Sequence, residues 1–232
     1  MLNQLINMML RINIVSKILI KPILKIHSIC YKLAGNMAIQ LNSGEHPKHK
    51  IMQYKEWFLK NIGDKAVVLD IGCNTGLMPE VISQKAAFVY GIEIEEKHVE
   101  IARNLRQKDN IEFICADAVS YDYSNCIPID IVTLSNVLEH IENRVIFLKK
   151  LVKKIKWNDD DNKQLLIRVP MIDRDWITVY KKDLGLEYRL DRTHFIEYTF
   201  EEFKHELAQN NIEIISHFVK FGEIYAICKV KK

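Results

Sequence analysis

Residues 67–77 read Val-Val-Leu-Asp-Ile-Gly-Cys-Asn-Thr-Gly-Leu, and this pattern indicates the fold class of the chain. Its apolar opening is typical of a buried strand, and an acidic residue, Asp70, lies at the carboxyl end of that strand. Gly72 and Gly76 permit a tight turn that a ligand can approach closely, and Asn74 is one of the few other residue types that tolerate left-handed φ. The stretch therefore predicts a strand, a ligand-binding turn and a helix.

Around this turn, short apolar runs alternate with helical stretches from residue 65 onward, which is typical of βαβ units and a parallel sheet. The expected strands are 65–71, 88–92, 111–115, 129–134 and 164–169. The expected helices are 77–84, 95–107 and 142–156, with a further helix that begins after Thr199 in a capping box with Glu202 and ends near Asn210. Alternating runs at 212–219 and 223–230 predict a hairpin at the sheet edge.

Polar residues follow the expected strands at the same edge of this sheet. An acidic residue in the position of Asp70 would repel a phosphate and instead suits a ligand with an ammonium group. Glu93 ends the second strand, and its two oxygens can accept from both hydroxyls of a ribose. Asp117 follows the third strand and can accept from an exocyclic amine, and Asn136 follows the fourth. Four polar strand ends in order predict a ligand crevice at the switch point of an open sheet.

On these motifs the sequence resembles the class I S-adenosylmethionine-dependent methyltransferases, over residues 65–232. The resemblance implies an α/β fold: a Rossmann-like seven-stranded sheet with helices on both faces and a C-terminal antiparallel hairpin. It also implies S-adenosyl-L-methionine as cofactor. Asp70 and Gly72 would hold its methionine end, Glu93 its ribose, Asp117 with Ala118 its adenine, and the backbone of Asn136 would pass beside it. The full expected cofactor set is Asp70, Gly72, Cys73, Asn74, Gly76, Glu93, Ile94, Asp117, Ala118 and Asn136.

Absent motifs exclude several acceptor classes. After the fourth strand the chain reads Ser135-Asn136-Val137-Leu138, without the Pro-Pro-Tyr/Phe pattern of amino-methylating DNA enzymes and without a Pro-Cys nucleophile. The fifth strand ends in Arg168-Val169-Pro170, without the Asp-Asn pair of metal-dependent catechol-type enzymes. We therefore expect no metal and no specific nucleic acid. RNA methylation is a weaker alternative, because the basic helix 149–156 lacks interleaved aromatic residues.

The long polar connection after the fifth strand is expected to form a substrate lid over residues 171–198. It carries the stretch Asp191-Arg192-Thr193-His194, which resembles a pattern before the penultimate helix of small-molecule methyltransferases. An alcohol acceptor gains from a general base near neutral pH, so His194 and His140 are the candidate catalytic residues. The alternative is that both histidines are structural and that catalysis rests on proximity alone.

The expected substrate contacts in this lid are Arg174, Tyr180, Arg189 and Arg192. The three arginines could grip a phosphate or carboxylate on the acceptor. Alternatively, they pair with the neighbouring carboxylates Asp173, Asp175 and Asp191.

The first part of the chain, residues 1–60, is expected to be a helical extension and cofactor cap in front of a methyltransferase domain at 61–232. Lysines and an arginine interrupt the apolar residues 1–33, so neither a membrane span nor a signal peptide is expected. The segment is either a helix packed on the protein's own core or a second subunit, or a cationic amphipathic helix on an anionic membrane. Pro22 is expected to kink the helix or split it in two. Tyr54 and Trp57 are expected as core residues, with a cofactor lid as the alternative.

Composition agrees with an intracellular enzyme. The chain has 232 residues, 48% of them hydrophobic, and 33 basic against 30 acidic residues give a net charge of +3. Five scattered cysteines favour neither a disulfide scaffold nor a zinc site. The resulting hypothesis is a bacterial, cytoplasmic, metal-independent methyltransferase that O-methylates a small molecule or glycan, with peripheral membrane contact through residues 1–33 and a homodimer as additional hypotheses. The alternatives are C- or N-methylation of a quinone-type precursor, or a non-catalytic cofactor-binding partner subunit.

Overall fold

The computed structural model describes residues 13–231 of the chain, so the predictions for residues 1–12 lie outside the described part. The chain divides into two compact units. The first unit comprises residues up to Met52 together with Asp175–Tyr188, and the second comprises Gln53–Arg174 together with Arg189–Lys232.

The second unit is built on a seven-stranded mixed sheet in the order β3-β2-β1-β4-β5-β7-β6. Its strands are β1 Val67–Ile71, β2 Phe88–Glu93, β3 Ile111–Cys115, β4 Ile131–Ser135, β5 Gln164–Pro170, β6 Ile212–Lys220 and β7 Glu223–Val230. Strands β1 to β5 are parallel, and β7 pairs antiparallel with both β5 and β6. The predicted Rossmann-like sheet and its C-terminal hairpin are therefore confirmed.

Helices connect these strands. In the second unit they are α3 Tyr54–Asn61, α4 Leu77–Ile82, α5 Glu96–Arg106, α6 Arg144–Lys154 and α8 Phe200–Ala208. The predicted capping box is present, because the Thr199 side chain accepts from the Glu202 amide while the Glu202 carboxylate accepts from the Thr199 amide. Tyr54 and Phe58 of α3 are buried and Trp57 is half-buried, as a helix packed on its core face requires.

Strand register positions the carboxyl ends of the central strands side by side. Ile71 of β1 is level with Ile92 of β2 on one side and with Leu134 of β4 on the other. From β1 the chain adds β2 and β3 on one side of the sheet and then crosses to add β4 and β5 on the other side. The carboxyl ends of β1 and β4 therefore form the topological switch point, where open α/β sheets bind ligands. Apolar strand residues beneath it are buried, which fixes the strands that carry the edge.

The first unit is helical and contains α1 Asn13–Leu41, α2 Pro47–Met52 and α7 Trp176–Asp183. Helix α1 continues through Pro22, so the predicted split into two helices is wrong, and the alternative of a kink stays a prediction. Pro22 is solvent-exposed, which leaves the carbonyl freed four residues earlier open to hydration. Helix α7 lies inside the segment expected to be a loop, and the Asp175 side chain caps it by accepting from the Thr178 amide at 2.7 Å.

The domain boundary predicted at residue 60, and the cap and lid roles of residues 1–60 and 171–198, stay predictions. Within residues 13–231, no helix has both the length and the apolar character that crossing a membrane requires.

Candidate functional site

The glycine-rich turn after β1 has the backbone that its sequence predicts. Gly72 and Gly76 have φ of 68° and 82°, and Asn74 takes a left-handed φ of 48°. A Cβ on Gly72 would lie 2.8 Å from a methyl group of Val137, so the turn packs closely against the segment after β4. Cys73 is buried, and its amide and that of Gly72 both donate to the Ile92 carbonyl, at 3.1 Å and 2.8 Å. The turn is therefore anchored on β2.

Asp70 is the buried acid beneath this turn and is only 2% exposed. Its Oδ1 accepts a hydrogen bond of 2.5 Å from the Thr133 hydroxyl on β4. Burial raises the pKa of Asp70 to about 7; the Thr133 hydrogen bond lowers it in part, and the neighbouring Glu93 raises it. A buried carboxyl of this kind is stabilised by an incoming cation, which restores its charged form.

Glu93 closes the same edge from β2. Its Oε2 accepts from the Asn74 amide at 3.0 Å, and its Oε1 accepts from the amides of Ile94 and Glu95 at 2.9 and 3.1 Å. The carboxylate thus joins the glycine-rich turn to the start of α5. Ile94 itself is exposed, at 66% of its surface.

Asp117 and Ala118 lie after β3, on the far side of Glu93 from β1. Asp117 is exposed, and its Oδ1 accepts from the Val119 amide at 2.9 Å. Ala118 is buried, and its carbonyl accepts from the Tyr123 hydroxyl at 2.8 Å. The exposed carboxylate retains an oxygen for a ligand, while the buried alanine offers an apolar surface.

Asn136, after β4, is held from β5 by Arg168. The Asn136 amide donates to the Arg168 carbonyl at 2.8 Å, and the Arg168 Nε donates to the Asn136 Oδ1 at 3.0 Å. Arg168 is 5% exposed, lies 3.2 Å from the Glu223 carboxylate and stacks over the Tyr54 ring at 4.2 Å. These contacts hold Asn136 at a positive φ of 57° beside the switch point. Sequence analysis missed Arg168, although a charge inside the apolar run of β5 was the available signal.

These residues fit S-adenosylmethionine, which would carry an ammonium group, a ribose and an adenine into the crevice. The buried Asp70 calls for a cation, the turn leaves no room for a Cβ at Gly72, and acidic side chains follow β2 and β3 in order. Asp70, Gly72, Cys73, Asn74, Gly76, Glu93, Ile94, Asp117, Ala118 and Asn136 thus all lie along the carboxyl edge of β1, β2, β3 and β4.

The two candidate catalytic histidines lie against each other, with ring centroids 4.7 Å apart in an edge-to-face arrangement. The Phe195 amide donates to the Glu139 carbonyl at 2.7 Å, which ties the two histidine-bearing segments together. His194 is buried, and its Nδ1 lies 3.2 Å from the Glu197 carboxylate. His140 is exposed, so it is the histidine of the pair that a substrate can reach.

A hydrogen-bonded relay reaches His140 from the side. The Thr193 Oγ1 lies 2.9 Å from the His140 Nδ1 and 2.9 Å from the Asp191 Oδ1. Hydrogen bonds from the Thr193 amide and hydroxyl hold the pKa of Asp191 below its usual range. Burial and the neighbouring His194 lower the pKa of His140, against the opposing effect of Asp191. His140 is therefore a neutral imidazole at pH 7.

Glu139, next to His140, is a second residue that sequence analysis missed. Its side chain is fully buried, and among the described residues neither oxygen meets a hydrogen-bond partner. Burial raises the pKa of Glu139 to about 8. Within the described residues, Glu139, His140 and His194 form one group whose polar atoms lie within 4.8 Å of one another, close enough to share a cation.

The expected substrate residues are divided between the two units. Arg174 donates to the Met171 carbonyl at 2.8 Å and pairs with the buried Glu197, and Arg189 donates to the His194 carbonyl at 2.9 Å. Arg192 is exposed in the second unit beside Thr193, whereas Tyr180 lies on α7 in the first unit. Glu197 is one carboxylate partner of Arg174, so part of the guanidinium stabilises the loop that carries His194.

The chain resembles known proteins in both sequence and fold. Residues 69–158 match the family model described as "Methyltransferase domain". A ubiquinone biosynthesis O-methyltransferase of Idiomarina loihiensis is 29% identical over 115 residues, 47% of this chain and 47% of that protein. Another, of Bradyrhizobium diazoefficiens, is 30% identical over 125 residues, 53% of this chain and 46% of that protein. The chain thus spans about half the length of the curated relatives it matches.

A solved structure has the same fold. It is a S-adenosylmethionine-dependent methyltransferase from Anabaena variabilis with a TM-score of 0.59 and 15% identity, covering 79% of this chain and 86% of that one. The resemblance inferred from the sequence motifs is confirmed. Residues 69–158 thus match a methyltransferase domain, and the chain has the fold of an S-adenosylmethionine-dependent methyltransferase.

Proposed function

We propose that the protein transfers a methyl group from S-adenosylmethionine to a hydroxyl group of a small molecule or glycan. The observation that carries the proposal is the buried Asp70 under a glycine-rich turn at the switch point of the sheet, with Glu93 and Asp117 following on the next strands. The curated relatives, about half of whose length matches this chain, are named O-methyltransferases. Their names favour oxygen as the methylated atom.

In this proposal the bound cofactor supplies an activated methyl group on a sulfonium, and the chain supplies position and a base. Asp70 would hold the ammonium group, Glu93 the ribose hydroxyls, and Asp117 with Ala118 the adenine. The Asn136 backbone, which Arg168 holds in place, would pass beside the cofactor. In-line displacement depends mainly on this orientation of the acceptor against the methyl group.

His140 is the proposed general base. It is neutral at pH 7, exposed, and follows β4 at the carboxyl edge. The Asp191 carboxylate can only accept, so the single Thr193 hydroxyl hydrogen points to Asp191. The Thr193 oxygen then accepts from His140 Nδ1–H, which leaves Nε2 free to take the proton of an acceptor hydroxyl. Buried His194, paired with Glu197, supports the His140 ring edge-on.

Replacing Thr193 with Val is expected to lower kcat about tenfold without changing cofactor affinity, because the tautomer of His140 is no longer fixed. Thr193→Ser keeps the hydroxyl and is the matched control, with wild-type kcat expected. Long-range nitrogen–proton NMR of His140 reads the tautomer directly. A protein in which His140 already carries its proton on Nε2, or a Thr193→Val variant with wild-type kcat, would remove the relay from the account.

Methyl transfer is proposed to be independent of metal. Dialysis against a strong chelator is expected to leave turnover within about twofold of the untreated protein, since a general base suffices for a hydroxyl acceptor. The test is informative because the side chains of Glu139, His140 and His194 lie close enough together to hold a metal ion. Loss of turnover on chelation, restored by a divalent cation and abolished in Glu139→Gln, would assign a metal to that group instead.

The acceptor is tested by a screen with S-adenosylmethionine labelled in its methyl group. Phenolic quinone precursors, sugars and glycolipids are the panels, and the product is analysed for the methylated atom. Label on oxygen is expected. Label on carbon or nitrogen of a quinone precursor would favour the alternative, and binding of cofactor without transfer to any panel would favour a non-catalytic partner subunit.

We propose the bacterial cytoplasm as the location. A homodimer is a further proposal about partners, and no specific nucleic acid is expected. Light scattering of the purified protein tests the dimer, and retardation of RNA at low salt tests the nucleic-acid prediction.

A further inference from the structure

Helix α1 exposes an unusual number of large apolar side chains. Within Asn13–Leu41, Leu24 is the only buried residue. Eight side chains that point away from it are large, apolar and exposed: Ile18, Leu19, Ile23, Ile26, Ile29, Leu33, Met37 and Leu41. Their exposed fractions range from 40% for Leu19 to 84% for Leu41. Soluble proteins rarely leave such a continuous apolar surface uncovered.

These residues share one face of the helix. At the α-helical angle of about 100° per residue, all eight fall within an arc of about 140°, and the buried Leu24 lies outside that arc. The face runs from Ile18 to Leu41, the end of the helix, which is about 35 Å at 1.5 Å per residue. Asn36 and Gln40 are the strongly polar side chains within it.

The charges of α1 lie along one border of this face and have a single sign. Lys17, Lys21, Lys25 and Lys32 are all exposed. They fall within an arc of about 80° beside the apolar one. The helix contains no aspartate or glutamate, and the sequence has none before Glu45. An apolar stripe beside lysines is the pattern of helices that lie in the interface of an anionic bilayer.

We propose that the apolar face of α1 docks this protein on an anionic lipid bilayer, with the helix lying parallel to the membrane plane and the lysines contacting lipid headgroups. The alternative occupant, the same face of a second copy, would bring lysines near lysines with no acidic side chain of the helix to neutralise them. Anionic headgroups supply the missing negative charge. The proposal goes beyond methyl transfer and does not depend on it.

The test is flotation of the full chain with vesicles of phosphatidylcholine alone or with 30% phosphatidylglycerol. We expect at least about tenfold more protein to float with the anionic vesicles at low salt, and less at high salt. The double variant Ile26→Gln/Leu33→Gln changes the centre of the face and is expected to abolish flotation. Lys21→Gln/Lys25→Gln is expected to remove the preference for anionic vesicles.

Matched controls lie on other helices. Leu105→Gln/Ile146→Gln replaces two residues that are 70% and 53% exposed on α5 and α6, and it should float like wild type. Lys149→Gln/Lys150→Gln is the charge control on α6. Circular dichroism melting and cofactor binding verify that each variant is folded. Wild-type protein that stays at the bottom, or Ile26→Gln/Leu33→Gln that floats normally, overturns the proposal. If Ile26→Gln/Leu33→Gln lowers the molar mass measured by light scattering but leaves flotation unchanged, the apolar face binds a second copy of the chain. That result also overturns the proposal of membrane docking.

Discussion

Asp70→Asn is expected to weaken binding of S-adenosylmethionine about 100-fold, because it removes the buried charge that pairs with the ammonium group. The substitution keeps the size of the side chain and the acceptor oxygen for Thr133, whose hydroxyl bonds Asp70 at 2.5 Å. Equilibrium dialysis with labelled cofactor measures the change. Asp109→Asn is the control: it makes the same change of charge at an exposed position just before the amino end of β3, away from the carboxyl ends that form the crevice. This variant should bind S-adenosylmethionine like the wild type.

The same carboxyl gives cofactor binding a pH dependence of known sign. The pKa of Asp70 is raised to about 7 in the folded protein, so below that pH the unliganded site is protonated and neutral. Affinity is therefore expected to fall by up to about tenfold per pH unit as the pH decreases below 7, and to level off above it. Asp70→Asn should show a flat profile between pH 5 and 8. Equal affinity of wild type at pH 5.5 and 8 would contradict the assignment of the ammonium group to Asp70.

His140→Ala is expected to lower kcat by about 10²–10⁴-fold while leaving cofactor affinity unchanged. The reason is that His140 takes the acceptor proton but does not contact the turn that holds the cofactor. The lowered pKa of His140 predicts that kcat at saturating cofactor is constant at neutral and higher pH. It should fall only in more acidic solution than an ordinary histidine requires, as the imidazole becomes protonated.

His194→Ala and His205→Ala separate the roles of the histidines. His194 is expected to act through His140, so its removal should lower kcat less than His140→Ala does. His205, exposed on α8, is the control and should have no effect. If kcat is undiminished in both His140→Ala and His194→Ala, the protein uses no histidine base and relies on proximity alone. If only His194→Ala is inactive, the base is His194.

Local patterns were sufficient to predict the sheet and the backbone of the glycine-rich turn at its carboxyl edge. The alternation of apolar runs with helical stretches fixed β1 to β5 to within about two residues at each end. The glycine-rich turn was predictable because φ above zero at Gly72 and Gly76 leaves few residue types available. The capping box at Thr199 and Glu202 was likewise readable, because both partners lie within one helical turn.

Contacts between distant strands could not be predicted from the single sequence. Thr133 and Asp70 are 63 residues apart, and Arg168 and Asn136 are 32 apart, so neither pairing leaves a local pattern. The burial of Glu139 has the same cause, because it depends on how the segment around Phe195 packs back against it.

Features that depart from the usual sequence rules for helices were harder still to predict. Pro22 ordinarily argues for a break, yet α1 continues through it because the position is exposed to water. The helix α7 was hidden in a polar segment whose only start signal was Asp175. The exposure of the apolar face of α1 is a property of the folded chain, since the sequence alone allows the same residues to cover a core.

Cofactor binding in this crevice is tested by calorimetric titration of the purified wild-type protein with S-adenosylmethionine and S-adenosylhomocysteine at pH 8. We expect one site per chain with an affinity of roughly micromolar, about −8 kcal/mol, for both ligands. Absence of heat with both ligands, for a protein that melts cooperatively, would contradict the assignment of this crevice to the cofactor.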